Sequence, residues 1–246
     1  MIQVERLQKK IASLGYTSRR KAEELITQGR VRVNDSVVTE LGVKVKNNDK
    51  IYIDDVLLVN SGKVYYLLNK PRGVVCTTSD DKNRKTITSL IETDVRIFPV
   101  GRLDYDTTGA IILTNDGTLS NILTSSANEV NKRYIAKVKG LITPYQIKCL
   151  KEGLVIDNIK LKKCKAKVKR YDKKTDTSIV EVIITEGRNH QVKKMFEKIG
   201  SEVLKLKREN FAFLDISSLP SGEYRTLTPK EVKQLYSLEI KKKQDK

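Results

Sequence analysis

Two aspartates separated by one tyrosine lie in the stretch GRLDYDTTG, which runs from Gly101 to Gly109. Such a carboxylate pair can form a surface turn, bind a metal ion or supply a nucleophile. The chain contains one histidine, His190, so a histidine-rich metal site is excluded and acid–base chemistry falls mainly on carboxylates, tyrosines and lysines. The neighbouring sequence has to separate these possibilities.

Three interpretations of the loop depend on a short local pattern. Asp, Thr and Gly are turn residues, and Asp106 could cap the following threonine amides. Asp104-x-Asp106-x-Thr108 matches the DxDxT pattern of haloacid-dehalogenase-like phosphatases, but AIILTNDG follows and predicts a strand ending in an Asn-Asp-Gly turn, where a phosphatase needs a helix. DYD also matches the DxD metal site of glycosyltransferases, although its partner ligands are not evident. A turn remains the interpretation that this stretch favours when taken alone.

The composition indicates a polyanionic partner. The 246 residues include 48 Lys and Arg against 30 Asp and Glu, for a net charge of +18. Cys76, Cys149 and Cys164 form no CxxC pair, which argues against a disulfide framework or a zinc site. No segment approaches the roughly 20 apolar residues of a membrane helix and no leader pattern is visible, so we expect a cytoplasmic protein with no membrane partner. The final KKKQDK is expected to be a tail.

The first sixty residues predict two short helices followed by a hairpin. ERLQKKIASLG and TSRRKAEELITQG have helical apolar spacing, with Thr17 or Ser18 as the N-cap of the second helix. VRVNDSVVTELGVKV predicts a hairpin turning at Asn34-Asp35, and DKIYIDD predicts a further strand. Cations crowd the first turn of the second helix, where the helix dipole disfavours positive charge. The arrangement becomes favourable if the helix N-terminus and these side chains bind the same phosphate. These cations are Arg19, Arg20 and Lys21.

The stretch RLQKKIASLGYTSRRKAEELITQGRVRVND resembles an S4 domain, the small αL-type RNA-binding module of ribosomal protein S4. The resemblance covers residues 4 to about 58, and we assign residues 1–60 to this domain. It implies that Arg19, Arg20, Lys21 and Arg30 contact RNA. VNSGK, residues 59–63, is the expected linker to a second domain.

The remaining sequence predicts an α+β domain over residues 64–240. VYYLLNKP, RIFPVGRL, AIILTND, RYIAKVKG, KCKAKVKRY and TSIVEVIITEG are strand-like, and the last three alternate as half-exposed antiparallel strands do. TPYQ at Thr143 and TPKE at Thr228 each predict a capped helix start. Another helix is predicted from about Asn189 to Gly200. Residues 188–208 carry seven cations against two acids, which suggests a second RNA-facing surface.

Three segments together resemble the RNA pseudouridine synthases. NKPRGVVCTT, GRLDYDTTGAIILTNDG and EGRNHQVKKMF occur in that family's order and approximate spacing. They are most similar to the RsuA/RluB/RluE/RluF branch, which carries an S4 domain in front, and within it to the large-subunit RluB type. With GEYRTLT, the resemblance extends to about residue 236. It implies a mostly antiparallel catalytic domain that isomerises a uridine of ribosomal RNA to pseudouridine, without cofactor or metal, as a monomer acting on rRNA or a pre-ribosomal particle.

The resemblance also implies roles for individual residues. Asp104 matches the essential aspartate, Tyr134 the tyrosine that packs on the target base, and Lys193 the basic partner that keeps the carboxylate ionised and oriented. Lysine stands where arginine is common in the family, so a looser pairing is expected. Asp106 is expected to shape the turn. Further residues are assigned to RNA contact: Lys70, Arg72, Arg102, Arg188, His190 and Lys194.

The alternatives are a small-subunit rRNA synthase of the RsuA type and a non-catalytic RNA-binding or ribosome-assembly factor with a vestigial loop. Intact Asp104, Tyr134 and Lys193 argue against the second. The choice of the target RNA depends on surfaces whose specificity cannot be read from one sequence. The route taken by Asp104, attack on C1′ or removal of the C2′ proton, is also open at this point.

Overall fold

A computed structural model describes residues 4–240, so the KKKQDK tail lies outside the described residues. The chain forms two compact units. The N-terminal unit contains the residues up to Val64 together with Thr93–Ile97 and Asn115–Gly117. The larger unit contains Tyr65–Glu92, Phe98–Thr114 and the residues from Thr118 onward. None of the described helices is both long and apolar enough to cross a lipid bilayer.

The N-terminal unit contains the two predicted helices and the predicted hairpin. Its elements are β1 (Val4–Arg6), α1 (Leu7–Ser13), α2 (Arg19–Thr27), β2 (Val31–Val33), β3 (Ser36–Val37), β4 (Lys44–Lys46), β5 (Ile51–Ile53) and β6 (Val56–Leu57). Ser18 is the N-cap of α2, and its hydroxyl accepts the amide of Lys21 at 3.2 Å. The hairpin turns at Asn34-Asp35, since Val33 pairs with Ser36. Apolar residues of both helices pack on β2, β4 and β5.

The larger unit is built on a mixed, mostly antiparallel sheet. Its strands are β7 (Tyr65–Lys70), β8 (Phe98–Pro99), β9 (Thr108–Thr114), β10 (Lys132–Lys139), β11 (Val155–Ile156), β12 (Ile159–Lys160), β13 (Lys165–Asp172), β14 (Thr177–Ile184), β15 (Val203–Phe211), β16 (Leu214–Asp215) and β17 (Tyr224–Thr226). The strand order is β13-β14-β10-β15-β9-β7-β17, with β8 beside β9 and β16 beside β15. The pairing of β9 with β15 is parallel and joins two antiparallel halves. The α+β class is therefore confirmed.

The helices of this unit are α3 (Gly117–Thr124), α4 (Pro144–Glu152), α5 (Gln191–Lys198) and α6 (Pro229–Tyr236), with short 3₁₀ helices at Thr88–Leu90 and Ser126–Asn128. Thr143 and Thr228 form the capping boxes that start α4 and α6, as predicted. Several elements were not predicted, namely the short strands β1, β6, β11, β12, β16 and β17 and two longer elements. β15 is a central strand, and α3 begins at the Asn-Asp-Gly stretch that suggested only a turn.

Alternation along β10 and β15 positions the candidate site. Tyr134, Ala136 and Val138 are buried on the side where α4 and α5 pack, while the residues between them are half-exposed on the other side. Leu206 and Arg208 of β15 face the same buried side, because Tyr134 pairs with Arg208 and Ala136 with Leu206. One face of the sheet therefore carries the candidate residues, and the other remains open to solvent.

Candidate active site

The two aspartates lie in a loop, residues 101–107, that connects β8 to β9 and that we call the aspartate loop. A turn closes at its end, where the amide of Thr107 donates to the carbonyl of Asp104 at 3.1 Å. Leu103 is buried and anchors the loop from below. Its amide donates to the Cys76 sulfur at 3.3 Å. The loop thus turns Asp104 outward from a fixed backbone.

Lys70 holds this loop from inside the protein. Its side chain is fully buried, and its ammonium donates to the carbonyls of Asp104 at 3.1 Å and Thr107 at 2.9 Å. Burial lowers the pKa of this ammonium, which the nearby carboxylates partly offset. The prediction that Lys70 contacts RNA is wrong, because its donors are already bound to backbone carbonyls and no face of it reaches solvent.

The start of α5 supplies the residues opposite the loop. The side-chain amide of Gln191 makes two hydrogen bonds here. Its Nε2 donates to the buried carboxylate of Glu186 at 2.8 Å, and its Oε1 accepts from the backbone amide of Arg188 at 2.9 Å. These contacts fix the turn before α5. His190 takes a left-handed conformation at the N-cap, with φ 52°. The turn therefore presents Arg188 and His190 at one end of α5, with Lys193 in its first turn.

Lys193 lies between the two aspartates. Its ammonium is 3.5 Å from an Asp104 carboxylate oxygen and 2.6 Å from an Asp106 carboxylate oxygen. The imidazole of His190 is 3.7 Å from the other Asp104 oxygen. The hydrogen bond from Lys193 holds the pKa of Asp106 below its ordinary value. Asp106 is therefore an ion-pair partner of Lys193 as well as a turn residue, and it accepts the shorter contact.

We predict that Lys193→Met raises the pKa of Asp106 toward the ordinary value of 3.8. Because the pKa is lower in the folded state, the pair stabilises the fold above this value, and the contribution is lost as pH falls through the folded pKa. Carbon-13 NMR titration of the side-chain carboxyl measures the shift directly. Lys193→Arg, which keeps the charge, should leave the pKa low, and an unchanged titration in Lys193→Met would contradict the pairing.

A cavity of about 220 Å³ opens beside the aspartate loop. Asp104, Lys193, Arg102, Arg188 and His190 line it. Its floor comes from the buried side of β10 and β15 and consists of Tyr134, Lys132, Leu206, Arg208 and Phe211. The structure therefore brings the three predicted catalytic residues to one cavity, together with three of the residues predicted to contact RNA.

Arg208 links the floor to the aspartate loop. It is 2% exposed, and its Nε donates to the carbonyl of Ala110 on β9 at 2.7 Å. One terminal nitrogen is 3.4 Å from the Tyr134 hydroxyl, and the other is buried without a hydrogen-bond partner among the described residues. The guanidinium also lies 4.8 Å from the centre of the Phe211 ring. A buried donor without a partner marks a place where a ligand's acceptor can bind.

Lys132 is a second buried cation at this floor. Its ammonium donates to the Val130 carbonyl at 3.1 Å, and burial, reinforced by the nearby Arg208 charge, lowers the pKa to about 8. Lys132 stands two residues before Tyr134 on β10 and shares its face. Together, Lys132 and Arg208 make the cavity floor electropositive below pH 8.

The depressed pKa of Lys132 predicts a pH-dependent stability. Between about 8 and 10.5 the unfolded chain binds the proton that the folded chain has lost, so the free energy of unfolding rises with pH in this window. Lys132→Met should abolish that rise, which we expect to be on the order of 3 kcal/mol. Urea denaturation at several pH values gives the difference between variant and wild type. Lys139→Met, an exposed lysine of the same strand, controls for the lost charge, and parallel curves for wild type and Lys132→Met would disprove the assignment.

The other residues predicted to contact RNA lie outside this cavity. Arg72 is exposed, and its charge helps to lower the pKa of Asp106. Lys194 forms an ion pair with Asp157 at the turn between β11 and β12. In the N-terminal unit, Arg19 and Arg20 are exposed at the start of α2, Lys21 pairs with Glu24, and Arg30 pairs with Asp54.

The cations of residues 188–208, which suggested a second RNA-facing surface, do not lie together on one surface. Arg188 and Lys193 face the cavity, Arg208 is buried beneath it, and Lys205 and Lys207 alternate onto the opposite side of the sheet. Successive side chains of a strand point to opposite faces of the sheet, so cations that are close in sequence lie on different faces. Arg208 and Lys132 were not predicted as site residues. For Lys132, the two-residue spacing from Tyr134 was a usable signal; for Arg208, nothing in the sequence set it apart.

Comparison with known proteins decides the family. Residues 64–198 match the family described as RNA pseudouridylate synthase, and this match includes the whole aspartate loop and the start of α5. The chain belongs to the RNA pseudouridylate synthase family. Residues 5–51 match the S4 domain. The pseudouridine synthase is accordingly an isomerase with an S4 domain in front of its catalytic domain, as the sequence motifs implied.

Two relatives and one solved structure extend along nearly all of this pseudouridine synthase. Ribosomal large subunit pseudouridine synthase B of Bacillus subtilis is 50% identical over 96% of this chain and 97% of its own length. The dual-specificity RNA pseudouridine synthase RluF of Escherichia coli K12 is 36% identical over 95% of this chain and 79% of its own. A crystal structure of a pseudouridylate synthase superposes with a TM-score of 0.68 at 33% identity, covering 94% of this chain and 99% of that one.

Proposed function

We propose that this pseudouridine synthase isomerises a uridine of large-subunit ribosomal RNA, with Asp104 as its essential carboxylate. The observation that carries the proposal is the position of Asp104 at the mouth of an electropositive cavity. The carboxylate lies between Lys193 at 3.5 Å and His190 at 3.7 Å, across from Tyr134. The Bacillus subtilis relative, named for the large subunit, supports the choice of RNA.

The isomerisation exchanges one bond at C1′ for another. The N-glycosidic bond breaks, the uracil turns while it remains in the cavity, C5 bonds to C1′, and the C5 proton is lost while N1 gains one. Asp104 either attacks C1′ or removes the C2′ proton to make a glycal. In both routes the departing uracil carries negative charge. The Lys132 and Arg208 cations at the floor and Lys193 at the mouth offset that charge.

Other residues hold the nucleotide for this reaction. Tyr134 packs on the target base, which must leave its helix to reach the cavity. Arg102 fills the space that the flipped nucleotide leaves, and Arg188, His190, Arg72 and Lys194 contact the surrounding backbone. The S4 domain, residues 1–60, grips structured RNA through Arg19, Arg20, Lys21 and Arg30, and residues 64–240 form the catalytic domain. We place the enzyme in the cytoplasm as a monomer acting on rRNA or a pre-ribosomal particle.

The test of this function is the conversion of defined RNAs by the purified protein. Transcripts of large-subunit and small-subunit rRNA are incubated with the enzyme, and pseudouridines are mapped at nucleotide resolution. Native pre-ribosomal particles from cells lacking the gene provide the second substrate. One uridine of the large-subunit RNA should be converted. Conversion confined to the small-subunit RNA would overturn the large-subunit assignment, and conversion of no RNA or particle would overturn the proposed function.

The choice of RNA needs one additional arm. The Escherichia coli relative is named as a dual-specificity enzyme. Total small RNA is therefore mapped beside the rRNA. We expect no site there, because the proposal assigns a single rRNA uridine, and a second converted RNA would show that the target is broader than proposed.

A further inference from the structure

One face of the larger unit's sheet lies on the side away from the cavity, and nearly all of its positions are half-exposed or exposed within residues 4–240. It extends across the strands β13, β14, β10 and β15, which are neighbours in that order. The cavity side of these strands carries Tyr134, Ile184, Leu206 and Arg208. The positions between them point the other way and are half-exposed or exposed, apart from Glu181.

The pairing register arranges this face into three rows of four residues, which together we call the open face. Side chains at paired positions project from the same side of a sheet. The rows are Lys165, Ile183, Arg133 and Asn210; Lys167, Glu181, Ile135 and Lys207; and Arg170, Ile179, Lys137 and Lys205.

The open face carries a large excess of positive charge. Its cations are Arg133, Lys137, Lys165, Lys167, Arg170, Lys205 and Lys207, and Glu181 is its one acid. Glu181 pairs with Arg133 at 2.7 Å and with Lys167 at 3.1 Å, and Arg133 also pairs with Glu209 of β15 at 3.4 Å. Within residues 4–240, Lys137, Lys165, Lys205 and Lys207 make no ion pair. Most of this charge is therefore uncompensated by the protein.

Lys137 and Lys205 show that the arrangement is unfavourable for the isolated protein. They occupy directly paired positions on β10 and β15. Like charges at such positions destabilise a sheet. A bound polyanion removes the repulsion and converts the same side chains into a binding surface.

We propose that the open face binds the phosphate backbone of a double-helical segment of the RNA substrate, away from the modified uridine. The inference rests on the proposed function, which supplies the RNA. The rows contain no aromatic side chain on which an unpaired base could stack. Aliphatic Ile135, Ile179 and Ile183 lie between the cations, so the surface recognises charge and shape rather than base edges. Double-helical RNA can be recognised by its charge and shape alone, without stacking or contacts to base edges.

The position of the open face limits which RNAs can use it. The cavity and the open face lie on opposite sides of the same sheet. A short stem-loop that delivers its uridine to the cavity cannot reach around the sheet at the same time. A longer RNA or a pre-ribosomal particle can contact the cavity and the open face at the same time. The affinity of the enzyme for such a substrate should therefore depend on the open face.

The test neutralises three exposed, unpaired cations of the open face with Lys165→Gln, Lys205→Gln and Lys207→Gln together. The matched control, Lys148→Gln, Lys230→Gln and Lys233→Gln, removes the same charge from exposed positions on α4 and α6. Binding is measured against salt for a long large-subunit rRNA fragment and for a minimal stem-loop that contains the target. For the long fragment, the open-face variant should bind about 30-fold more weakly, and the slope of log affinity against log salt should fall by about 2 to 3 units. The control should change both quantities by less than half as much.

Three outcomes would overturn the inference: equal effects of both triple variants, an unchanged salt slope, or an equal loss on the minimal stem-loop. Pseudouridine formation at saturating minimal stem-loop is recorded in the same samples and should remain at the wild-type rate. If wild-type enzyme converts no RNA, the proposed function fails. If it converts RNA but the open-face variant behaves as the control does, only this inference fails. If the triple variant does not fold, Lys205→Gln alone is measured against salt with the long fragment, and its slope should fall by about 1 unit, whereas an unchanged slope would overturn the inference.

Discussion

Asp104→Asn is expected to lower the single-turnover rate of pseudouridine formation by about a thousandfold or more at saturating RNA, a loss typical of removing an essential nucleophile or base. Asparagine has nearly the same shape and leaves the loop backbone in place. It cannot attack C1′ and it cannot accept the C2′ proton. The variant should bind RNA at least as tightly as wild type, since one negative charge beside a polyanion is removed.

Asp106→Asn is the matched control for this experiment. It makes the same chemical change two residues away, and it also removes a carboxylate partner of Lys193. The Asp106 side chain is 45% exposed and is absent from the cavity wall, so its loss should cost less than about tenfold in rate. Similar losses in the two variants would show that general charge balance, rather than the Asp104 carboxylate, supports the reaction. Near-wild-type activity of Asp104→Asn would refute its role outright.

Local chemistry in the sequence was sufficient to predict many of the elements. Ser18, Thr143 and Thr228 accept the amides of their own first helical turns, and this bonding depends on residues only three positions apart. The hairpin at Asn34 likewise needs only a residue that tolerates a left-handed conformation, here φ 53°. Such features do not require knowledge of the distant parts of the chain.

The two longest elements that were not predicted, β15 and α3, depend on distant contacts. VLKLKRENF of β15 alternates apolar and charged residues, and its cations favoured a surface over a central strand. One side of it is covered by α5 and the other is the open face, so a strand in the middle of the sheet keeps exposed lysines. α3 begins with turn residues and becomes a helix because Leu119 and Leu123 pack into the core of the larger unit.

The candidate site shows the same division. Asp104, Tyr134 and Lys193 were predicted from motifs that resemble a known family, and the structure places them around one cavity. The roles of Lys70 and Arg208 could not be predicted, because the shortest hydrogen bond of each is to the backbone carbonyl of a residue distant in sequence. For Arg208 the carbonyl belongs to a residue almost a hundred positions earlier, and only the parallel pairing of β9 with β15 brings it close. The role of a buried cation can be assigned only when the acceptors that it contacts are known.

The parallel pairing also makes Gly109 the position where the smallest substitution should have the largest structural effect. A Cβ at this residue would lie 2.1 Å from the Arg208 carbonyl oxygen, 2.8 Å from its amide nitrogen and 2.9 Å from its carbonyl carbon. These are backbone atoms of the adjacent central strand and cannot rotate away. The φ of +112° is also a conformation that residues with a Cβ rarely adopt. Gly109→Ala should therefore force β9 and β15 apart at the end of the aspartate loop.

We expect Gly109→Ala to destabilise the protein by about 3 to 5 kcal/mol, from backbone strain and steric overlap together. Thermal unfolding followed by circular dichroism should show a melting temperature lower by about 10 °C. Gly101→Ala is the control, because its φ of +72° imposes strain while its nearest neighbour, a methyl group of Thr124, is 3.7 Å away. That variant should lose only about 1 kcal/mol. At a temperature where both variants are folded, Gly109→Ala should still be the less active, because separating β9 from β15 moves Asp104 away from the Tyr134 and Arg208 side of the cavity. Equal melting temperatures for the two alanine variants would mean that β9 and β15 can separate at Gly109 without loss of stability. The pairing of these strands would then not fix the geometry of the site.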